Sequence, residues 1–222
     1  DRIIVITPQQ FAEIHEEFGV GRREQFEVIP LGIDLSKYSN YESRTDLLKG
    51  EIGAGQDELI VGFTGRLTEI KNISLLLYAA AECQELAEKP RLRFVIIGDG
   101  NLRQELEHLS NELGLSDSVV FLGNRNDVAE LLQGIDIIAL TSKNEGTPLS
   151  LIEAMAAGVP FISTSVGGVA DLAGETIETL DGFRICERGI AVDGFGAKQF
   201  ADGLIYLAKN EKLRERLKCD GA

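Results

Sequence analysis

The chain alternates between two hydrophobic rhythms for most of its 222 residues. Largely apolar runs occupy consecutive positions at 60–63, 93–97, 119–122, 135–140 and 160–164. Runs without polar alternation are what strands covered on both faces require. Between them, apolar residues recur every three to four positions at 72–89, 101–113, 127–133 and 149–157, the spacing of amphipathic helices. Strand, helix, strand repeated this often predicts βαβ units. The expected fold class is therefore α/β, a doubly wound, Rossmann-like parallel sheet with helices on both sides. A further strand is expected at 189–192, followed by helices at 197–209 and 211–218. The start of the chain reads differently. A strand at 3–7, a helix at 8–17 and a strand at 26–29 lead into Pro30-Leu31-Gly32-Ile33-Asp34, which breaks the pattern. A polar stretch carrying Lys37, Asn40, Glu42 and Arg44 follows, so a boundary is expected that divides 1–33 from 34–222.

Charge narrows the function classes. Thirty-six acidic residues against 22 basic ones give a net charge of −14, which disfavours nucleic acid as a partner. Any phosphate ligand must then be held by a few well-placed cations against an adverse background field. No apolar run approaches the roughly 20 residues that span a bilayer, and no secretory signal is legible. The first residue is Asp1, so the chain reads as a piece of a longer one. Cys83, Cys186 and Cys219 are widely spaced with no CxxC, which fits a reducing cytosol better than a disulfide framework. His15 and His108 have no second ligand at metal-binding spacing, so no metal site is expected. Neither a GxxxxGK[ST] phosphate loop nor a GxSxG elbow occurs.

In open parallel sheets ligands bind beyond the carboxyl ends of the strands, which directs attention to the residues just after each one. Thr64-Gly65-Arg66-Leu67 follows the run at 60–63, with Lys71 entering the next helix, so two cations share one loop at the binding edge. A solvated loop would read the same way. Gly98-Asp99-Gly100-Asn101-Leu102-Arg103 supplies only the front half of GxGxxG, because Arg103 takes the third glycine position. Asp117, about 20 residues on, precedes a strand instead of ending one, so this segment reads as a tight strand-to-helix turn. The most informative stretch runs from Asn144 to Glu153. Thr147 is a natural N-cap and Pro148 a natural first helical residue. A helix starting there, with Gly146 allowing close approach, offers free N–H groups to an anion. Glu145 stands just before that turn and Glu153 about a turn and a half into the helix, at 3.6 residues per turn.

Glu145, seven residues, Glu153, continuing into Ala154-Met155-Ala156-Ala157-Gly158-Val159-Pro160, resembles the signature of the retaining glycosyltransferases of family 4, also called group 1. Gly65-Arg66-Leu67 with Lys71-Asn72, Ile97-Gly98-Asp99-Gly100, Phe121-Leu122-Gly123 and Gly167-Gly168-Val169 match in the same order. Pro30 to Asp34 is similar to that family's interdomain segment, with Leu31 in place of the usual Asn. The resemblance implies the GT-B architecture of two Rossmann-like domains, of which residues 34–222 would be the nucleotide-sugar half. Residues 1–33 would be the tail of the acceptor-side domain. Carried onto matching positions, it implies that Arg66 and Lys71 grip the donor diphosphate and that Glu145 meets the sugar hydroxyls. The backbone from Gly146 through Thr147 and Pro148 to Leu149 would face the sugar and phosphates, Glu153 would take the ribose hydroxyls, and Gly65, Gly98, Asn124 and Arg125 would line the donor. The implied donor is a UDP or GDP sugar, with UDP favoured and no metal or other cofactor required. The implied partner is the remaining acceptor-binding domain of the same polypeptide, through which a membrane-surface acceptor could be reached from the cytoplasm.

Paired carboxylates would also serve a glycoside hydrolase, but the absence of Trp and an aromatic content of 6% leave little for sugar stacking. A hydrolase also gives Arg66 and Lys71 no task. A sugar-nucleotide epimerase of similar fold and a non-catalytic nucleotide-binding module stay open as alternatives. The expectation for this chain alone is donor binding without transfer, with self-association through the strand from Ile3 to Thr7, whose sheet would be missing.

Overall fold

The structure, a computed structural model, describes residues 1–29, 32–38, 45–85 and 90–220. Pro30, Leu31, Asn40, Glu42, Arg44 and the expected end of the first long helix near Lys89 lie outside them. Two short parallel strands, β1 (Ile3–Val5) and β2 (Phe26–Val28), make a sheet of their own. The single helix expected between them is divided. α1 (Pro8–Phe11) widens into a π-helical stretch, Ala12–Glu17, where the Phe18 amide reaches back five residues to the Glu13 carbonyl at 3.1 Å. The rings of Phe11, His15 and Phe26 close this unit, with centroids 5.1 to 5.3 Å apart.

The consecutive apolar runs become one eight-stranded sheet. Helix α2 (Thr45–Ile52) leads into β3 (Leu59–Thr64), then α3 (Ile73–Glu85), β4 (Leu92–Ile97), α4 (Arg103–Glu112) and β5 (Val119–Gly123). The chain continues through α5 (Val128–Leu132), β6 (Ile137–Leu140), α6 (Leu149–Ala156), β7 (Phe161–Thr164) and α7 (Val169–Ala173). It ends in β8 (Thr176–Leu180), β9 (Phe183–Cys186), β10 (Gly189–Val192), α8 (Ala197–Lys209) and α9 (Glu211–Asp220). The strand order is β5-β4-β3-β6-β7-β10-β9-β8, and the six from β5 to β10 are parallel. Numbered among themselves these six run 3-2-1-4-5-6, the doubly wound order of dinucleotide-binding folds.

Both faces of the sheet are covered, which is why its strands carry no polar alternation. Phe63, Phe94, Phe161 and Phe200 are fully buried. Along α3 the buried residues Ile73, Leu76, Leu77, Ala80 and Cys83 fall at three- and four-residue steps, and the helix packs along α8. Gly62 interrupts β3 for a packing reason, since a Cβ there would lie 2.4 Å from Cδ1 of Ile135. Cys83 and Cys186 are buried and form no disulfide. Among the described residues no helix is long and apolar enough to cross a membrane.

Three features depart from the sequence pattern. The β8–β9 hairpin extends the sheet antiparallel beyond β10, where no strand was expected. β8 is an edge strand exposed along most of its length, so it needs no apolar run. Its signal was the two-residue link Asp181-Gly182 between the paired Leu180 and Phe183, with Gly182 at φ +85°. Helices α2 and α7 are also additions. The strand expected from 135 begins at Ile137 instead, because the Ile135 amide still bonds to Leu132 in the turn leaving α5.

Candidate functional site

β3 and β6 are neighbours in the sheet, yet the chain leaves them toward opposite sides, which opens a crevice at their carboxyl ends. A cleft of about 710 Å³ lies there. Four loops build it, and glycines let them meet. Gly98 follows β4 with φ +134°, and a Cβ on it would sit 1.9 Å from the Gly65 carbonyl oxygen. Gly100 would likewise strike the Leu67 backbone at 2.3 Å. The loops after β3 and β4 therefore touch backbone to backbone, joined by Gly65 N–H to Ile97 O at 3.0 Å and Leu67 N–H to Asp99 O at 3.0 Å. Gly167 and Gly168 do the same after β7. A Cβ on Gly167 would lie 1.9 Å from the Glu145 carbonyl oxygen, and one on Gly168 would lie 2.1 Å from that of Gly146.

Arg66 projects from the β3 loop, exposed and without an ion-pair partner among the described residues. Lys71 ends a short 3-10 turn, Glu69–Lys71, which Asn72 closes in the left-handed region at φ +48°. Its ammonium donates to Oε1 of Glu145 at 2.5 Å. Ser142 donates to the same oxygen at 2.5 Å, so one carboxylate oxygen receives two donors in a nearly dry setting. The loop that carries Glu145 is fixed in turn. Lys143 N–H bonds Ile70 O at 2.7 Å, Thr141 Oγ1 donates to Lys71 O at 3.1 Å, and Thr164 Oγ1 donates to Ser142 O at 2.6 Å.

Helix α6 starts one residue later than the sequence suggested. Pro148, with φ −77° and ψ +76°, is the cap and Leu149 the first helical residue, and Thr147 makes no side-chain capping bond. The Leu149 amide turns back to Thr147 O at 2.9 Å. Among the described residues the amides of Gly146, Thr147 and Ser150 have no protein partner, leaving free N–H groups at this end of the helix.

Gly65, Arg66, Lys71, Gly98, Asn124, Arg125, Glu145, Thr147, Leu149 and Glu153 all line the cleft. Gly146 and Pro148 lie just outside its lining. The Gly146 carbonyl backs onto Gly168, while its amide has no protein partner among the described residues. Arg125 reaches the cleft but is not a free cation. Asp127 takes its Nε at 2.8 Å and Nη2 at 2.6 Å, and Glu51 of α2 takes Nη1. Those two partners raise the guanidinium pKa above its ordinary value. Arg103, at the third glycine position of the partial fingerprint, is tied to Glu107 at 2.8 Å and Asp99 at 3.5 Å.

The structure also brings in residues the sequence did not assign. Lys37 and Tyr38, on a 3-10 turn Ser36–Tyr38, reach the cleft from the polar stretch after the linker. The Lys37 ammonium lies 4.8 Å from the centre of the Tyr38 ring. Burial, followed by a hydrogen bond to Glu153 and that carboxylate's charge, pushes the Tyr38 phenol well up, so it stays protonated. Nothing in the hydrophobic pattern marks this turn. Thr64, Asn126 and Ser150 join the lining as well. Thr64 Oγ1 is buried without a hydrogen-bond partner, an arrangement that costs about 1–3 kcal/mol. A polar residue closing an apolar strand at its binding edge was the available signal.

A model of the family described as glycosyl transferases group 1 matches residues 45–221. The D-inositol 3-phosphate glycosyltransferase of Corynebacterium jeikeium is 31% identical over 222 residues, covering 96% of this chain and 50% of that protein. The UDP-Gal:alpha-D-GlcNAc-diphosphoundecaprenol alpha-1,3-galactosyltransferase of Escherichia coli is 33% identical over 142 residues, 64% of this chain and 37% of that protein. Among solved structures, HepE of Anabaena in complex with UDP and glucose shares the fold with a TM-score of 0.82 and 23% identity, over 99% of this chain and 56% of that one. The chain spans about half the length of the curated relatives it matches, or less.

Proposed function

This chain belongs to the glycosyl transferases group 1 family, and from that premise we propose that its cleft binds a nucleoside diphosphate sugar as glycosyl donor. In the longer protein the sugar passes to an acceptor hydroxyl with retention of configuration, the reading supported by the resemblance of the segment from Glu145 to Glu153 to the retaining transferases. The observation that carries the proposal is the meeting at one switch point of the Lys71–Glu145 pair with Arg66 and amides at the start of α6 that have no partner among the described residues. Arg66, Lys71 and those amides face the diphosphate and neutralise the charge that grows on it as the glycosidic bond breaks. Glu153, steadied by Tyr38, accepts from the ribose hydroxyls. Glu145 gives Oε1 to Lys71 and Ser142 and offers its other oxygen to the sugar. Asn124 and Arg125 border the base. Binding needs no divalent cation in this reading. Among the described residues no three His, Cys, Asp or Glu side chains gather as a metal would need.

UDP is the favoured nucleotide, a choice supported by the UDP bound in the HepE structure. The acceptor belongs to the part of the protein beyond this half. The lipid-linked diphosphate named for the Escherichia coli relative supports an acceptor at a membrane surface, reached from the cytoplasm. Titration calorimetry with UDP, GDP and UDP-glucose, each with and without EDTA, tests the proposal. Saturable binding that persists in EDTA is expected. Absence of binding to every nucleotide, or its loss on chelation, overturns it.

A further inference from the structure

We propose that Thr64 is a donor-binding residue of this cleft, its hydroxyl donating a hydrogen bond to a phosphate oxygen of the nucleoside diphosphate. The inference rests on the reading of the cleft as a nucleotide-sugar site and names a contact that reading left unassigned. Thr64 closes β3, is 6% exposed, and lines the cleft beside Gly65, Arg66 and Lys71. Every comparable hydroxyl at the neighbouring strand ends is committed. Thr141 donates to Lys71 O, Ser142 to Glu145, Ser163 to Thr164 O and Thr164 to Ser142 O. Thr64 Oγ1 alone among these five has no partner.

A valine has almost the same shape, fits a strand as well and would carry no orphaned hydroxyl. The hydroxyl therefore points to an acceptor that arrives from outside the protein. Its neighbours define that acceptor's chemistry. A site between Arg66 and Lys71 attracts an anion, and a hydroxyl can donate to a phosphate oxygen there without adding charge. Thr64 Oγ1 is fully buried as it stands, so reaching a phosphate oxygen in the cleft takes a step to another staggered rotamer.

Three variants test the assignment: Thr64→Val, Thr64→Ser and Arg66→Ala. Each is followed by calorimetry with UDP and with uridine, and by thermal unfolding without ligand. Thr64→Val is expected to lose roughly tenfold in UDP affinity, the scale of a hydrogen bond to a charged group. It should keep its uridine affinity and show an unchanged or higher Tm. Thr64→Ser should bind UDP as the parent does. If Thr64→Val binds UDP normally while Arg66→Ala does not, the Thr64 assignment is wrong and the reading of the cleft stands. A lower Tm in ligand-free Thr64→Val also overturns it, because the hydroxyl would then have a structural partner. If Arg66→Ala leaves UDP affinity intact as well, the reading of the cleft fails and takes the Thr64 contact with it.

Discussion

Arg66 and Lys71 share one loop, but truncating them has different consequences. Arg66 is exposed and unpaired among the described residues, so Arg66→Ala should cost about 1.5–3 kcal/mol of UDP binding and leave Tm unchanged. Lys71 is 2.5 Å from a Glu145 side chain that is 9% exposed. Lys71→Ala leaves that carboxylate uncompensated and should lose about 3 kcal/mol of folding stability as well as donor affinity, the low end for breaking a buried pair. Urea unfolding beside calorimetry separates the two effects, and equal stability loss in both variants would refute this account. The two carboxylates divide in a similar way. Glu153→Ala should weaken UDP and UDP-glucose alike, since ribose is common to both. Glu145→Gln should spare UDP and weaken only UDP-glucose. Matching losses of free UDP in both variants would dissolve the division of labour.

At the scale of elements, the site depends on loops that touch through glycine. Gly167→Ala puts a methyl 1.9 Å from the Glu145 carbonyl oxygen at φ +50°. Left-handed strain and overpacking together should cost about 2–5 kcal/mol, read from denaturant midpoints. Gly146→Ala meets open space and serves as the control. A second dependence joins α2 to the loop after β5. The hydrogen bonds from Arg125 hold the Asp127 carboxyl below the usual carboxylate range. Stability from that charge is complete above the unfolded value of about 3.9 and is lost as pH falls through the lower folded value. Both side chains are partly solvated, so the effect is small. Asp127→Asn should flatten the acid limb of a stability–pH profile without moving its neutral plateau. An unchanged acid limb would show that the pair contributes nothing.

For the whole molecule, one half of a transferase can recognise a donor without completing a reaction. Closure of a cleft between two halves is what would bring the acceptor hydroxyl to the donor and exclude water. Residues 1–222 alone should therefore bind UDP-glucose and transfer no sugar, and robust transfer by a monomer would overturn that view. The β1–β2 pair adds a second expectation. Its sheet has two strands, and Ile4, Val28 and Ile29 are 62%, 41% and 44% exposed. Open edges with apolar side chains recruit further strands. Sedimentation should show concentration-dependent association that Ile4→Lys abolishes.

The sequence by itself determined the α/β class, because strands covered on both faces must be apolar at successive positions and α3 must bury every third or fourth residue. It also placed Arg66, Lys71, Glu145 and Glu153 at strand ends and on a helix start, since those positions follow from where the apolar runs stop. Only the tertiary structure decided which of those loops meet. The pairing of Lys71 with Glu145 spans 74 residues, and no local pattern encodes an ion pair at that distance. The same holds for Tyr38 beside Glu153, for Arg125 bound by Glu51, and for the unpartnered hydroxyl of Thr64. The polar edge strand β8 escaped for the opposite reason, because an edge strand exposed on both faces along most of its length carries little apolar sequence to mark it. Hydrophobic pattern reports what is buried. Contacts among polar groups depend on which loops the doubly wound sheet brings to one edge.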